Sequence, residues 1–166
     1  MNIVKRLDQF DENNVYFCEP IKNTVMMNAN FIRIFYSNEL FTLNGIYLFI
    51  PIYEFHIEKY YNKYKCIFNG NAYANILLKI KQLEELILNK INIKNKIPQY
   101  KIYSQLKSNF VKVFQETQIT SDSIILLKIS GIWENTSHYG ITHKFICGTQ
   151  YKTHLHENMQ LQQNLL

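Results

Sequence analysis

Hydrophobic and polar positions alternate along the chain with two periods, and the change from one to the other marks the elements. From Asn30, the run Phe31-Ile32-Arg33-Ile34-Phe35-Tyr36 is β-branched and aromatic and is closed by Ser37-Asn38, which predicts a strand. Leu40 to Leu43, Asn44-Gly45 and Ile46 to Ile50 predict a hairpin, because Asn-Gly supplies the positive φ of a tight two-residue turn. Tyr53 to Ile57 and Lys63 to Phe68 predict two further strands, separated by the polar Lys59 to Asn62. The period then changes. After Asn69-Gly70-Asn71, the residues Ile76, Ile80, Leu83, Ile87 and Ile91 recur at helical spacing, which predicts an amphipathic helix over about 72–92. Leu77 and Leu88 widen its stripe, and Lys79, Lys81, Glu84 and Glu85 are placed toward water. Tyr100 to Phe114 fits a strand pair or a helix, Ser121 to Ser123 make a loop, and residues 124–147 predict one long hairpin turning at Asn135 to His138.

Residues 1–29 show no sustained period and are expected to form an N-terminal arm with a short helix or strand, and residues 148–166 a polar tail rich in Gln, His and Asn. Between them, residues 30–147 run as three or four strands, one long helix and a closing group of strands. An OB fold has that order: five strands in a partly open Greek-key barrel that binds oligonucleotides on an exposed face. The expected fold is mainly β (α+β), an OB-like partly open β-barrel with one long amphipathic helix between strand groups.

The length, 166 residues, suits one domain with a real core, and 47% hydrophobic residues rule out a disordered composition. The excess of Asn, Ile, Lys and Tyr, with Arg6 and Arg33 the only arginines, points to an AT-rich genome, so Lys and Tyr carry less weight as functional signals. Charge placement adds more than its sum of +5. Residues 1–58 hold four basic residues against seven acids, residues 59–112 eleven lysines against Glu84 and Glu85, and residues 113–166 three lysines against four acids. A basic central third suits a polyanionic partner.

Three cysteines without C-x-x-C spacing suit reduced thiols inside a cell, and Met1 to Glu19 lacks the basic-then-apolar order of a signal peptide. The longest apolar stretch, Ile46 to Tyr53, is too short to span a bilayer, so no membrane is expected. Paired carboxylates, a phosphate loop and a nucleophile elbow are all missing, and the chain has five glycines; no enzyme and no cofactor are expected. His154-x-His156 with His143 or Cys147 supplies too few placed ligands for a metal.

Single-strand binders combine a basic groove with aromatic faces on which bases stack. Tyr60-Tyr61-Asn62-Lys63-Tyr64-Lys65 interleaves the two, and a strand from Lys63 puts Lys63 and Lys65 on one face and Tyr64, Cys66 and Phe68 on the other. Phe31, Arg33 and Phe35 share a face, and Tyr47 and Phe49 repeat the pattern. Trp133 is expected exposed near the hairpin tip beside Tyr139. These residues place phosphates on Arg33, Lys59, Lys63 and Lys65, and bases on Phe35, Tyr47, Tyr61, Tyr64 or Trp133. Lys94, Lys96, Lys101, Lys107 and Lys112 would extend the surface. The competing reading makes the lysines an ordinary solvated strand and the aromatics core.

The segments Leu127-Lys128-Ile129-Ser130-Gly131-Ile132-Trp133-Glu134 and Tyr139-Gly140-Ile141-Thr142-His143-Lys144-Phe145 resemble a strand-turn-strand signature near the C-terminus of uncharacterised proteins of large nucleocytoplasmic DNA viruses. They are also similar to the closing strands of phage-type OB-fold single-stranded DNA-binding proteins. Phe41-Thr42-Leu43-Asn44-Gly45-Ile46-Tyr47 adds to the viral likeness. Phage-type binders end in an acidic tail, whereas residues 148–166 hold Glu157 as their one acid. The resemblance implies nonspecific single-stranded DNA binding in viral replication, recombination or repair, with RNA as the alternative strand, in the infected-cell cytoplasm (viral factory) or the nucleus. A second copy of the chain or other viral proteins are the further partners. The alternative is a virion or scaffold protein acting as a protein-interaction module.

Overall fold

The computed structural model of the chain describes residues 3–114, 119 and 123–149. In chain order they form β1 (Val4–Arg6), β2 (Val15–Phe17), β3 (Ile21–Lys22), β4 (Asn30–Ser37), β5 (Thr42–Asn44), β6 (Ile46–Ile50), β7 (His56–Tyr60) and β8 (Lys63–Ile67). The helix α1 (Ala74–Ile91), β9 (Ile97–Gln99), α2 (Lys101–Lys107), β10 (Phe110–Phe114), β11 (Ser123–Glu134) and β12 (His138–Thr149) follow. The protein is mainly β with one long helix between two groups of strands. Its sheet is open: the order β1-β6-β11-β12-β10-β8-β7 ends at β1 and β7, and no pairing joins those ends among the described residues. No helix among these residues is long and apolar enough to cross a membrane.

The spine is the hairpin of β11 and β12, with Asn135 turning the chain by accepting backbone hydrogen bonds from Ser137 (3.0 Å) and His138 (2.8 Å) through its side chain. A register shift between Ile129 and Gly131 lets β11 change neighbours on its other edge: Ile125–Ile129 pair with β6, and Gly131–Glu134 pair with β4. Gly131 is required at that handover, because a Cβ there would stand 2.3 Å from the carbonyl oxygen of Ile32.

Three expectations need correction. Asn44-Gly45 does not close a hairpin between β5 and β6. β5 pairs with β4, around a turn in which the Asn38 side chain accepts from the Leu40 and Phe41 amides, and Gly45 (φ +91°) is the corner where the chain passes from β4 to the edge of β11. A Cβ on Gly45 would lie 2.6 Å from the Ile129 carbonyl oxygen. The strand expected from Tyr53 begins at His56, since the Tyr53 and Glu54 amides donate to the Tyr73 hydroxyl instead of a ladder. The N-terminal arm, expected to hold a short helix or strand, has three short strands: β1 pairs with β6, and β2 and β3 pair with β4. Lastly, Glu84 is fully buried, and its carboxylate accepts from the Ile102 (3.0 Å) and Tyr103 (2.9 Å) amides at the first turn of α2, donors that a helix start leaves unpaired. Residues 100–114, open from the sequence, are a helix followed by a strand.

Helices α1 and α2 cover one face of the sheet. Ile80, Leu83, Ile87 and Leu88 of α1 and Ile102 and Leu106 of α2 pack with Ile34, Leu48, Ile50, Val111, Leu127, Ile129, Ile141 and Phe145 in one buried cluster. The stripe read from the sequence is therefore the face α1 buries. The three cysteines are free thiols. Of the expected tail, Gly148 and Thr149 extend β12, and residues 150–166 lie outside the described residues.

Candidate nucleic-acid interface

Because side chains alternate along a strand, each inward residue of this sheet is followed by one facing away from the helices. On β12, Tyr139, Ile141 and Phe145 point inward and Gly140, Thr142 and Lys144 outward; on β11, Ile125, Leu127 and Ile129 point inward and Leu126 and Lys128 outward. Among the described residues no helix covers the outward face.

The registers draw one row across that face. Glu58 of β7 stands opposite Lys65 of β8, and Lys65 opposite Lys112 of β10. Lys112 and Lys144 each precede the paired Val113 and Phe145, so they neighbour one another across β10 and β12. Lys144 is opposite Lys128 of β11, which is opposite Tyr47 of β6. Four lysines thus occupy four consecutive strands within roughly 15 Å, at the usual spacing of strands. Like charges directly opposite destabilise a sheet. Among the described residues relief is slight: Glu58 lies 3.9 Å from Lys65, and both side chains are solvent-accessible. The other neighbours are rings. Lys65 sits 4.6 Å from the Phe110 centroid, Lys112 5.9 Å from the same ring, and Lys128 5.0 Å from Tyr47.

Two grooves flank the row. The first, about 380 Å³, is lined by Lys59, Tyr60, Lys63, Tyr64, Lys65, Phe110 and Lys112, which brings together Lys59, Lys63, Tyr64 and Lys65 as the sequence suggests. Tyr64 is half-buried against the core, and Tyr61, at the hairpin tip with φ +53°, is exposed and packed edge-on against Tyr60. The second groove, about 590 Å³, lies beyond Thr142 and holds Lys22, Phe31, Arg33, Lys101 and Trp133. Arg33 lies 5.7 Å from the Phe31 centroid and donates to Asn44 Oδ1 at 3.0 Å. Phe35 shares the outward face with Phe31 and Arg33, and neighbours Tyr16.

Trp133 is not exposed as expected; 6% of it is accessible. Across the hairpin stands Gly140, where a Cβ would come within 2.9 Å of the indole, so the ring lies down over the sheet, and Lys101 Nζ covers it 4.5 Å from a ring centroid. Tyr139 beside it is buried, with its hydroxyl toward the Leu88 carbonyl at 3.5 Å. Lys96 does not extend the surface, because it is paired with the buried Glu134, whose carboxyl it holds below the usual range. Among the described residues no group of three His, Cys, Asp or Glu could hold a metal, and His154 and His156 lie outside them.

Sequence reasoning missed Phe110, Lys128 and Lys144. The signal was present in the alternation of Leu127-Lys128-Ile129 and His143-Lys144-Phe145, which puts both lysines on one face of the expected hairpin. No family model, no curated protein and no solved structure matches the chain.

Proposed function

We propose that the protein binds single-stranded nucleic acid, DNA first, without sequence preference, across the outward face of its sheet. The observation that carries this reading is the row Lys65, Lys112, Lys144 and Lys128. The four like charges stand on adjacent strands beside Phe110 and Tyr47, an arrangement that costs folding stability and suits a polyphosphate. Phosphates lie along the lysines, and bases rest on Phe110, Tyr47 and the neighbouring outward aromatics. From the OB-like expectation this takes the use of an exposed sheet face as the platform. In the viral setting that the sequence resembles, the role is to coat strands exposed during replication, recombination or repair.

Four phosphate contacts imply that log affinity falls with log salt at a slope of about −2.8, roughly a fiftyfold loss between about 50 and 200 mM. Fluorescence anisotropy of labelled oligo-dT against a matched duplex, over that range, tests it. Salt-steep binding that prefers the single strand supports the proposal. Binding to neither strand at low salt overturns it and leaves the protein-interaction module in front.

A further inference from the structure

The second groove differs from the lysine row in being walled. One wall is the loop after β3, where the Asn23 side chain accepts from the Val25 (2.9 Å) and Met26 (3.1 Å) amides and the Asn23 amide donates to the Ala29 carbonyl (2.9 Å). That bracing sets Val25, 90% exposed, and the half-buried Met26 along the groove. The floor is aromatic. Gly131 and Gly140 leave no Cβ beneath Phe31 and Trp133, so both rings lie along the sheet. Lys22, Arg33 and Lys101 supply three cations, and no carboxylate is among the described residues that line the groove. Its volume falls in the range of small-ligand sites.

We infer that this groove is a nucleotide subsite at one end of the lysine track, taking a single base between the Val25–Met26 wall and Phe31, with the adjoining phosphates on Arg33 and Lys101. Apolar side chains presented beside basic ones are what a protein uses to part or grip stacked bases. Charge complementarity and the aromatic floor select this occupant over a lipid surface, which would need the apolar tip but not the floor. The inference rests on the single-strand reading: it adds a fixed point from which the strand runs over Thr142 toward Lys144 and Lys112.

Trp133 is the one tryptophan of the chain, and Lys101 lies over its ring, so its emission reports on the groove. Oligo-dT of about ten nucleotides is titrated while anisotropy and Trp133 emission are followed together. The emission should change with the same midpoint as the anisotropy. Val25→Ser with Met26→Ser, in the loop between β3 and β4 and outside the buried core cluster, should weaken binding about fivefold and remove the emission change. Lys112→Glu with Lys144→Glu should weaken binding and keep the emission change at saturation. If the oligonucleotide binds while emission stays constant and the loop variant binds as well as the parent, the subsite is wrong and the sheet-face reading stands. If no oligonucleotide binds, both fall. Adsorption to phosphatidylserine vesicles that the loop variant abolishes, with no emission response to oligo-dT, overturns the subsite in favour of a membrane-facing loop.

Discussion

On β12, Ile141 and Phe145 face the helices and are almost wholly buried, while Thr142 and Lys144, each adjacent to one of them in sequence, face the other way and meet no helix among the described residues. Among the described residues the inward face holds one fully buried charge, Glu84, and it faces two amides that need an acceptor. The outward face leaves four lysines opposed to one another across strands and, among the described residues, relieved by one carboxylate at one end. A sheet shaped by stability alone would alternate those charges or dilute them. The difference separates what holds the fold from what it is held for, and it can be pressed from both sides.

The largest effect belongs to the inward face. Leu127→Ala removes a fully buried side chain at the centre of the hairpin and should cost about 3 kcal/mol, seen as a lower urea midpoint, with oligo-dT affinity unchanged in the protein that remains folded. Lys112→Glu with Lys144→Glu should do the reverse: a loss of affinity of roughly fiftyfold or more and a much flatter salt dependence, with the urea midpoint at or above the parent's. A loss of folding in that pair would mean that the row is structural.

Glu84 and Glu134 sharpen the inward side through pH. Burial raises the Glu84 carboxyl, against the lowering influence of the Tyr103 and Ile102 amides. The folded state therefore holds that proton more tightly than the unfolded chain, and its contribution is complete below the ordinary glutamate range and lost as pH rises through the raised value. Glu134, lowered by the hydrogen bond from Lys96, contributes stability above the ordinary range that is lost as pH falls through its lowered value. Urea midpoints between about pH 3 and 7 should show both limbs, and Glu84→Gln should remove the decline on the higher-pH side alone. The smallest effect is the most telling. Lys144→Thr relieves opposed charge and should raise stability by about 0.5 kcal/mol, a shift of roughly 1–2 °C in Tm, while weakening binding. A variant that folds better and binds worse marks a residue kept for function.

How much of this was legible depended on whether the deciding contact was local. The stripe of α1, the alternation of β4 and the hairpin from 124 to 147 are set by neighbours a few residues apart, and each was read correctly. Glu84 was misplaced because its polarity outweighed its position beside Leu83, Ile87 and Leu88, and nothing near it in sequence announces the amides of α2. Asn44-Gly45 carries the letters of a tight turn, yet the pairing of β5 with β4 turns the same torsion into a corner. In the candidate site, Lys63 and Lys65 were found because one strand holds both. Lys112 was named only as an extension, and the alternation gives the face of Lys128 and Lys144 but not their neighbours: all three line up with Lys65 because β10 slots between β8 and β12, a pairing of distant segments.

A bound single strand is expected to lie on the outward face of the sheet. Ultraviolet crosslinking of bound 5-iodouracil oligonucleotides, with the adducts mapped by mass spectrometry, tests it most directly. Adducts on Tyr47, Phe110 and Phe31, suppressed by Lys112→Glu with Lys144→Glu, are the predicted result; adducts confined to Tyr103 or the exposed edge of α1, unaffected by that pair, would contradict it.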